Sequence, residues 1–141
     1  IIIDLRQNSG GEPMTAKPLI DSLANRTKFI EEGRVFVLVG KRTFSAAVTN
    51  AIQLKNKANA VIVGEPPRGR VNHYGEGRDI KLKLTKIWAT VSTQFVEDDP
   101  SLGDAPYLPI DIEIVPTYES FQTGTDAEFE AALTAKLTQK N

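Results

Sequence analysis

Val35-Phe36-Val37-Leu38-Val39-Gly40 runs straight into Lys41-Arg42-Thr43-Phe44-Ser45-Ala46-Ala47-Val48, and the reading of this stretch decides the fold. An unbroken apolar row closed by glycine reads as a strand buried on both faces, the pattern of a parallel sheet. Beyond it, Phe44, Ala47, Val48, Ala51 and Ile52 recur at helical spacing, so a helix beginning near Ser45 carries one apolar face. Downstream, Ala60-Val61-Ile62-Val63 is another short apolar strand, ended by Gly64. Upstream, Ile1-Ile2-Ile3-Asp4-Leu5 is a buried strand of the same kind. A turn-rich loop with Gly10 and Gly11 adjacent follows it, then a helix from about Met14 to Asn25 with Ile20 and Leu23 inward. Gly33 ends a polar connector. Strand, helix, strand, helix, strand implies an α/β fold, a mostly parallel sheet with crossover helices.

After Gly64 the rhythm breaks. Residues 64–78 hold prolines, glycines and charges and read as one long loop. Ile80-Leu82-Leu84 and Ile87-Ala89-Val91 alternate with polar residues, which predicts a half-exposed β-hairpin extension. Residues 94–109, acidic and proline-bearing, read as another loop, and Ile110 to Val115 as a strand. A last helix is expected from Thr125, with Glu128 completing a capping box and Phe129, Ala132, Leu133 and Leu137 forming its apolar face.

The chain has 141 residues, enough for one domain or a piece of one. Seventeen basic against eighteen acidic residues argue against nucleic acid as the main partner, because phosphate binding needs a basic excess. No cysteine is present, which removes disulfides, thiolate metal sites and thiol catalysis; a single histidine removes multi-histidine metal sites within the chain. The longest apolar run, Val35 to Val39, is far too short to span a bilayer. Because the sequence opens inside a buried strand with no signal-type segment, the expectation is that residues 1–141 are the C-terminal part of a larger protein.

Three loops leave the C-terminal ends of strands, the edge where open α/β sheets bind ligands. They carry Asn8-Ser9-Gly10-Gly11, Thr43-Phe44-Ser45-Ala46 and Gly64-Glu65-Pro66-Pro67-Arg68-Gly69-Arg70. Ser45, between a buried strand and a helix, is either the N-cap of that helix or a nucleophile whose oxyanion donors are the free N–H groups beside it. Gly10 and Gly11 make either a tight turn or a backbone whose N–H faces a cleft. His73 is the one side chain that titrates near neutrality unperturbed, and reads as a solvated loop residue or a base. Glu97-Asp98-Asp99 with Asp104 lacks the spacing of a calcium loop and reads as a solvated acidic segment. Gly40-Lys41 with Thr43 lacks the upstream glycine of a phosphate loop.

Together these segments resemble the S41 serine peptidases: tail-specific and C-terminal processing proteases, tricorn core proteases and retinoid-binding relatives. Ile2-Ile3-Asp4-Leu5-Arg6-Gln7-Asn8-Ser9-Gly10-Gly11 is similar to the family's DLR-x-N-x-GG strand and loop. Val37 through Ala47 resembles its nucleophile strand and turn, and Val61-Ile62-Val63-Gly64-Glu65 with Gly69-Arg70 the strand and loop that come next. Pro109-Ile110-Asp111-Ile112-Glu113-Ile114 resembles its PDI-x-V strand, and Gly124-Thr125-Asp126 its entry to the last helix. The resemblance implies a ClpP/crotonase-like fold, Ser45 as acylating nucleophile, and an oxyanion hole from the N–H of Ala46 and of Gly11, or alternatively Gly10. It implies a peptide or protein substrate, no cofactor, and a location in the cell envelope or outside the cell.

The sequence departs from the family where the base should be. The dyad lysine of processing proteases falls at Arg70, which stays protonated at any working pH, and the assisting glutamine falls near Tyr74. The tricorn-type histidine precedes the DLR strand, and no glutamate stands between Leu102 and Pro109, where Asp104 is the nearest carboxylate. The base is therefore expected outside the chain, or else at His73. Arg70 can bind a substrate carboxylate or pair with Glu65 or Glu76. A non-catalytic peptide- or lipid-binding module on the same fold is the alternative reading. An open edge at the first strand would pair with a second copy, so a homo-oligomer is also an expectation.

Overall fold

The computed structural model describes residues 1–31 and 34–135. Its centre is a parallel sheet of β1 (Ile2–Asp4), β2 (Phe36–Val39), β3 (Val61–Gly64) and β6 (Ile112–Glu113), in the order β1-β2-β3-β6. A separate antiparallel hairpin is made by β4 (Asn72–Lys81) and β5 (Trp88–Glu97). The helices are α1 (Lys17–Ala24), α2 (Thr27–Glu31), α3 (Ala46–Ala58), α4 (Tyr118–Thr123) and α5 (Ala127–Thr134).

The apolar row at β2 is buried because the sheet is covered on both sides. Val35, Val37 and Val39 point to one face, where Ile20 of α1 and Val48 and Ile52 of α3 pack against them. Phe36 and Leu38 point to the other, against Val63 and Ala132 of α5. Period-2 alternation thus sends every residue of the strand into one of two cores. Each fully buried Val, Leu or Ile is worth roughly 1.5–3 kcal/mol relative to exposure.

Strand ends are set by close backbone approach. Gly64 has φ +123°, and a Cβ there would sit 2.1 Å from the Val39 carbonyl oxygen. Glycine is required at that crossing, and it turns the chain off the sheet toward the site. Asp111 ties β6 to its neighbours: its carboxylate accepts from the Ile62 amide and from Lys55.

Several boundaries differ from the sequence reading. The loop expected over 64–78 ends early, because β4 starts at Asn72; the hairpin also reaches Glu97, so it absorbs the first part of the expected acidic loop. Cross-strand pairing outweighs glycine content here, with Tyr74 edge-on to Phe95 at 5.2 Å and Lys81 5.4 Å over the Trp88 ring. The hairpin is exposed rather than half-exposed along most of its length. Phe44 lies before α3 and is exposed, while Ala47, Val48, Ala51 and Ile52 are buried as their spacing predicts. The strand expected over Ile110–Val115 shortens to Ile112–Glu113.

The last helix begins at Ala127 with Asp126 as N-cap, accepting from the Phe129 amide, so the box centred on Thr125 and Glu128 does not form. A reciprocal box forms instead between Thr117 and Ser120, opening α4, an element the hydrophobic pattern does not reveal. On α5 the side turned inward carries Glu128 and Ala132, and Phe129 and Leu133 are exposed. Gly33 and Leu137 lie outside the described residues.

Candidate active site

Thr43 organises the C-terminal edge of the sheet. Fully buried, it donates its hydroxyl to the Leu5 carbonyl at 2.8 Å and accepts from the Gly40 amide at 3.0 Å. Its own carbonyl accepts from the Arg68 amide at 3.1 Å. One side chain and one peptide therefore join the loops that follow β1, β2 and β3. A second joint runs through Asn8, whose carbonyl accepts from the Phe44 amide while its side chain accepts from the Gly10 amide. Gly69 approaches the Phe44 ring, at 3.4 Å for a notional Cβ.

Ser45 hangs between these joints with φ +52° and ψ −126°. A non-glycine residue avoids this region, because its Cβ crowds the neighbouring carbonyl, and such strain concentrates at functional sites. The side chain makes no capping hydrogen bond, so the N-cap reading has no support in its geometry. The arrangement is a sharp turn from a buried strand into a helix with a half-buried serine at the bend, the geometry of a nucleophile elbow.

The N–H groups around Ser45 are unequal. Ala47 donates to the Phe44 carbonyl, and Val48 and Thr49 both donate to the Ser45 carbonyl. Among the described residues nothing accepts from the Ala46 amide, at the positive end of α3. Across the turn, Gly10 with φ +111° lies against the serine: a Cβ there would meet Ser45 Cβ at 2.8 Å and the Ala46 nitrogen at 3.4 Å. The Gly10 amide is engaged by Asn8, whereas that of Gly11, φ +137°, has no acceptor among the described residues. The structure thus brings Ser45, Ala46 and the Gly10–Gly11 loop together.

It does not bring His73 or Arg70 to them by any hydrogen bond. His73 lies on β4, paired across to Val96, with Nδ1 3.3 Å from the Val71 carbonyl. Arg70 reaches Asp104 at 3.3 Å, with both side chains exposed. Neither Glu65 nor Glu76 is its partner; Glu65 pairs with Lys41 at 2.7 Å. The acidic segment is structural in part. Asp98 accepts from Thr49 of α3, and Asp99 from Asn56 and Ser101. The Ser101 hydroxyl and, next, the Asn56 amide hold the Asp99 carboxyl below its ordinary value. Buried Asn72 clamps the far side of that loop through Asp99 and Gly103.

Two clefts open on this edge. The larger, about 630 Å³, holds Asp4, Arg6, Lys41, Glu65, Phe121 and Asp126 among its walls. Its charges are paired with one another: Arg6 bonds both Asp4 and Asp126, which holds both carboxyls below, and the guanidinium above, their ordinary values. The hydroxyls in its lining are Ser120 and Thr125, and Ser120 is engaged in the α4 cap with Thr117. The smaller, about 290 Å³, is walled by Gly10 and Ala46 and so adjoins Ser45. Ser45 itself is not in that lining; the cleft reaches its neighbours Ala46 and Gly10.

Thr43, Asn8, Asn50 and Asn72 were not singled out by sequence reading. Asn8, two residues before a glycine, carries a legible turn signal; the others look like ordinary polar residues until their partners are known.

No family model and no curated protein matches this sequence. Among solved structures, the fold is similar to that of a "Putative S41 protease" from Bacteroides fragilis NCTC 9343, with TM-score 0.55 and 17% identity. The match covers 95% of this chain and 45% of that one, so this chain spans under half the length of that protein. Among the described residues no helix is long and apolar enough to cross a membrane. The class shown is a mixed α/β fold of the S41 protease type, a parallel sheet with a separate antiparallel hairpin.

Proposed function

We propose that this chain is part of the catalytic domain of a serine-type peptidase, an endopeptidase of the S41 kind on a ClpP/crotonase-like fold. Ser45 Oγ attacks a peptide carbonyl, a C–O bond forms, and the oxyanion is received by the amides of Ala46 and Gly11. The base takes the Ser45 hydroxyl proton as the adduct forms and gives it to the amine expelled when the adduct collapses, and water then releases the acyl group. The observation that carries this reading is Ser45 itself: strained at φ +52°, uncapped, with an unengaged helix N-terminal amide beside it. The unengaged Gly11 amide makes it a better second donor than Gly10. Among the described residues no side chain hydrogen-bonds Ser45, which supports a base supplied from outside this chain, with His73 as the alternative within it.

A second reading, a binding module without catalysis, is favoured by that same lack of a bonded base and by Arg70 standing where a dyad lysine would fall. Intact-mass analysis after fluorophosphonate treatment separates the two. One adduct, lost in Ser45→Ala, is expected for the complete protein; no adduct there would leave the binding module.

A further inference from the structure

The distal half of the hairpin has no part in the chemistry proposed at Ser45. Every residue over 76–88 is exposed. The ladder between β4 and β5 holds this stretch, and its turn is closed by the Leu82 amide donating to the Ile87 carbonyl and the Lys86 amide donating to the Leu82 carbonyl. Direct cross-strand partners share a face, and neighbours along a strand alternate between faces. Ile80 with Ala89, and Leu82 with Ile87, therefore lie on one face, and Lys81 with Trp88 on the other. Leu84 stands in the turn itself, 94% exposed, and Trp88 is 64% exposed. The end of the hairpin is thus apolar on both faces and at its tip, and a contiguous exposed apolar patch marks a contact with something else.

The charges around that patch say what it meets. Residues 80–88 carry Lys81, Lys83 and Lys86 and no acidic residue, in a chain whose formal net charge is −1. None of the three lysines pairs with a carboxylate among the described residues. A protein partner covers one face of a hairpin, whereas apolar side chains on every side suit a medium that surrounds the tip. We propose that the tip of the β4–β5 hairpin is a peripheral docking site for the surface of an anionic lipid bilayer. Leu84, Ile87 and the Trp88 ring enter the interface, where aromatic rings settle at headgroup level. Lys81, Lys83 and Lys86 lay their stems along the apolar surface and hold their ammonium groups against lipid phosphates. Entry stops at the turn, because the open edges of a two-stranded ribbon carry backbone groups that hydrocarbon cannot satisfy. β4 is ten residues long, so the tip stands roughly 30 Å beyond Asn72, which is buried and bonded to Asp99 and Gly103. The core of the chain is thereby held off the bilayer. The inference is independent of the peptidase reading.

The complete protein is sedimented with vesicles of phosphatidylcholine alone and of equal parts phosphatidylcholine and phosphatidylglycerol. Binding is expected to the anionic vesicles, to weaken as added salt screens the charges, and to be at least about tenfold weaker without phosphatidylglycerol. Replacing Lys81, Lys83 and Lys86 together by Gln should lower affinity by about a hundredfold, about fivefold for each lysine. Leu84→Ser should lower it about tenfold. These positions are exposed, so thermal unfolding and fluorophosphonate labelling should match the parent protein. Trp88 emission, taken as the difference between the protein and Trp88→Phe, should shift to shorter wavelength on anionic vesicles; this reports tip entry even if another segment holds the protein to the lipid. No binding, equal binding to both vesicles, or an unshifted Trp88 with tip variants that bind like the parent would overturn the proposal. An oligomer in solution that Leu84→Ser disperses, with no vesicle binding, would overturn it in favour of a second copy of the chain.

Discussion

Ser45→Gly should make this protein more stable while abolishing its reactivity. The serine sits at φ +52°, ψ −126°, in a region that glycine enters freely and residues with a Cβ do not. Strain of that kind costs about 1–3 kcal/mol. Glycine gives back about 0.5–1 kcal/mol through the greater freedom of its unfolded chain. Ser45 Oγ caps nothing, so no hydrogen bond is lost. The balance is a gain of roughly 0.5–2 kcal/mol, which raises Tm by about 2–6 °C for a domain of this size. Ser45→Ala is the control: it deletes the same hydroxyl, keeps Cβ and the strain, and should leave Tm within about 1 °C of the parent. Urea or thermal unfolding by circular dichroism reads the difference, and both variants should lose the fluorophosphonate adduct. A Ser45→Gly protein no more stable than Ser45→Ala would refute the claim that strain is held at Ser45.

The neighbouring joints give further expectations. Thr43→Val keeps the shape but strands the Leu5 carbonyl and the Gly40 amide, and should cost about 2–4 kcal/mol, whereas Thr43→Ser should cost about 1, as chemical denaturation will show. Gly10→Ala should destabilise by about 2–4 kcal/mol through φ and contact with Ser45; Gly11→Ala, with open space around it, should cost only the backbone part, about 1–2, in the same assay. Asp4 and Asp126 are held below their usual 3.8 by Arg6. Their stabilisation is complete above the unfolded value and is lost as pH falls through the lower folded values. Stability should therefore drop below about pH 4, and Arg6→Met should flatten that part of the curve, measured as Tm against pH.

Much of this was legible because it depends on short-range pattern. Val35–Val39, a short β-branched-rich apolar row closed by Gly40, reads as a strand covered on both faces, and β2 is buried throughout. Ala47, Val48, Ala51 and Ile52 declare the inward side of α3 by spacing alone. The three loops that meet at Ser45 follow from strand order, because parallel strands put their C-terminal ends at one edge. Where the pattern is weak, the reading slipped. The glycines of β4 look like a loop, and only pairing with β5, up to 25 residues away (Asn72 with Glu97), makes them strand. On α5, Phe129 and Leu133 look like core, yet the Arg6 network draws Glu128 inward and turns them out.

By itself, the sequence determined the α/β class, the burial of β2, the helix behind Ser45 and the identity of that serine as the residue to examine. All of these are set by contacts within a few residues or by simple alternation. Tertiary structure alone decided which amides are free among the described residues, that Ser45 is strained and makes no capping hydrogen bond, that Arg70 meets Asp104, and that Asn50 Oδ1 is buried without a partner among the described residues. Each of those depends on groups far apart in the chain arriving at one edge of the sheet. A hydrogen bond's partner is a fact about space, and spacing along the chain does not contain it.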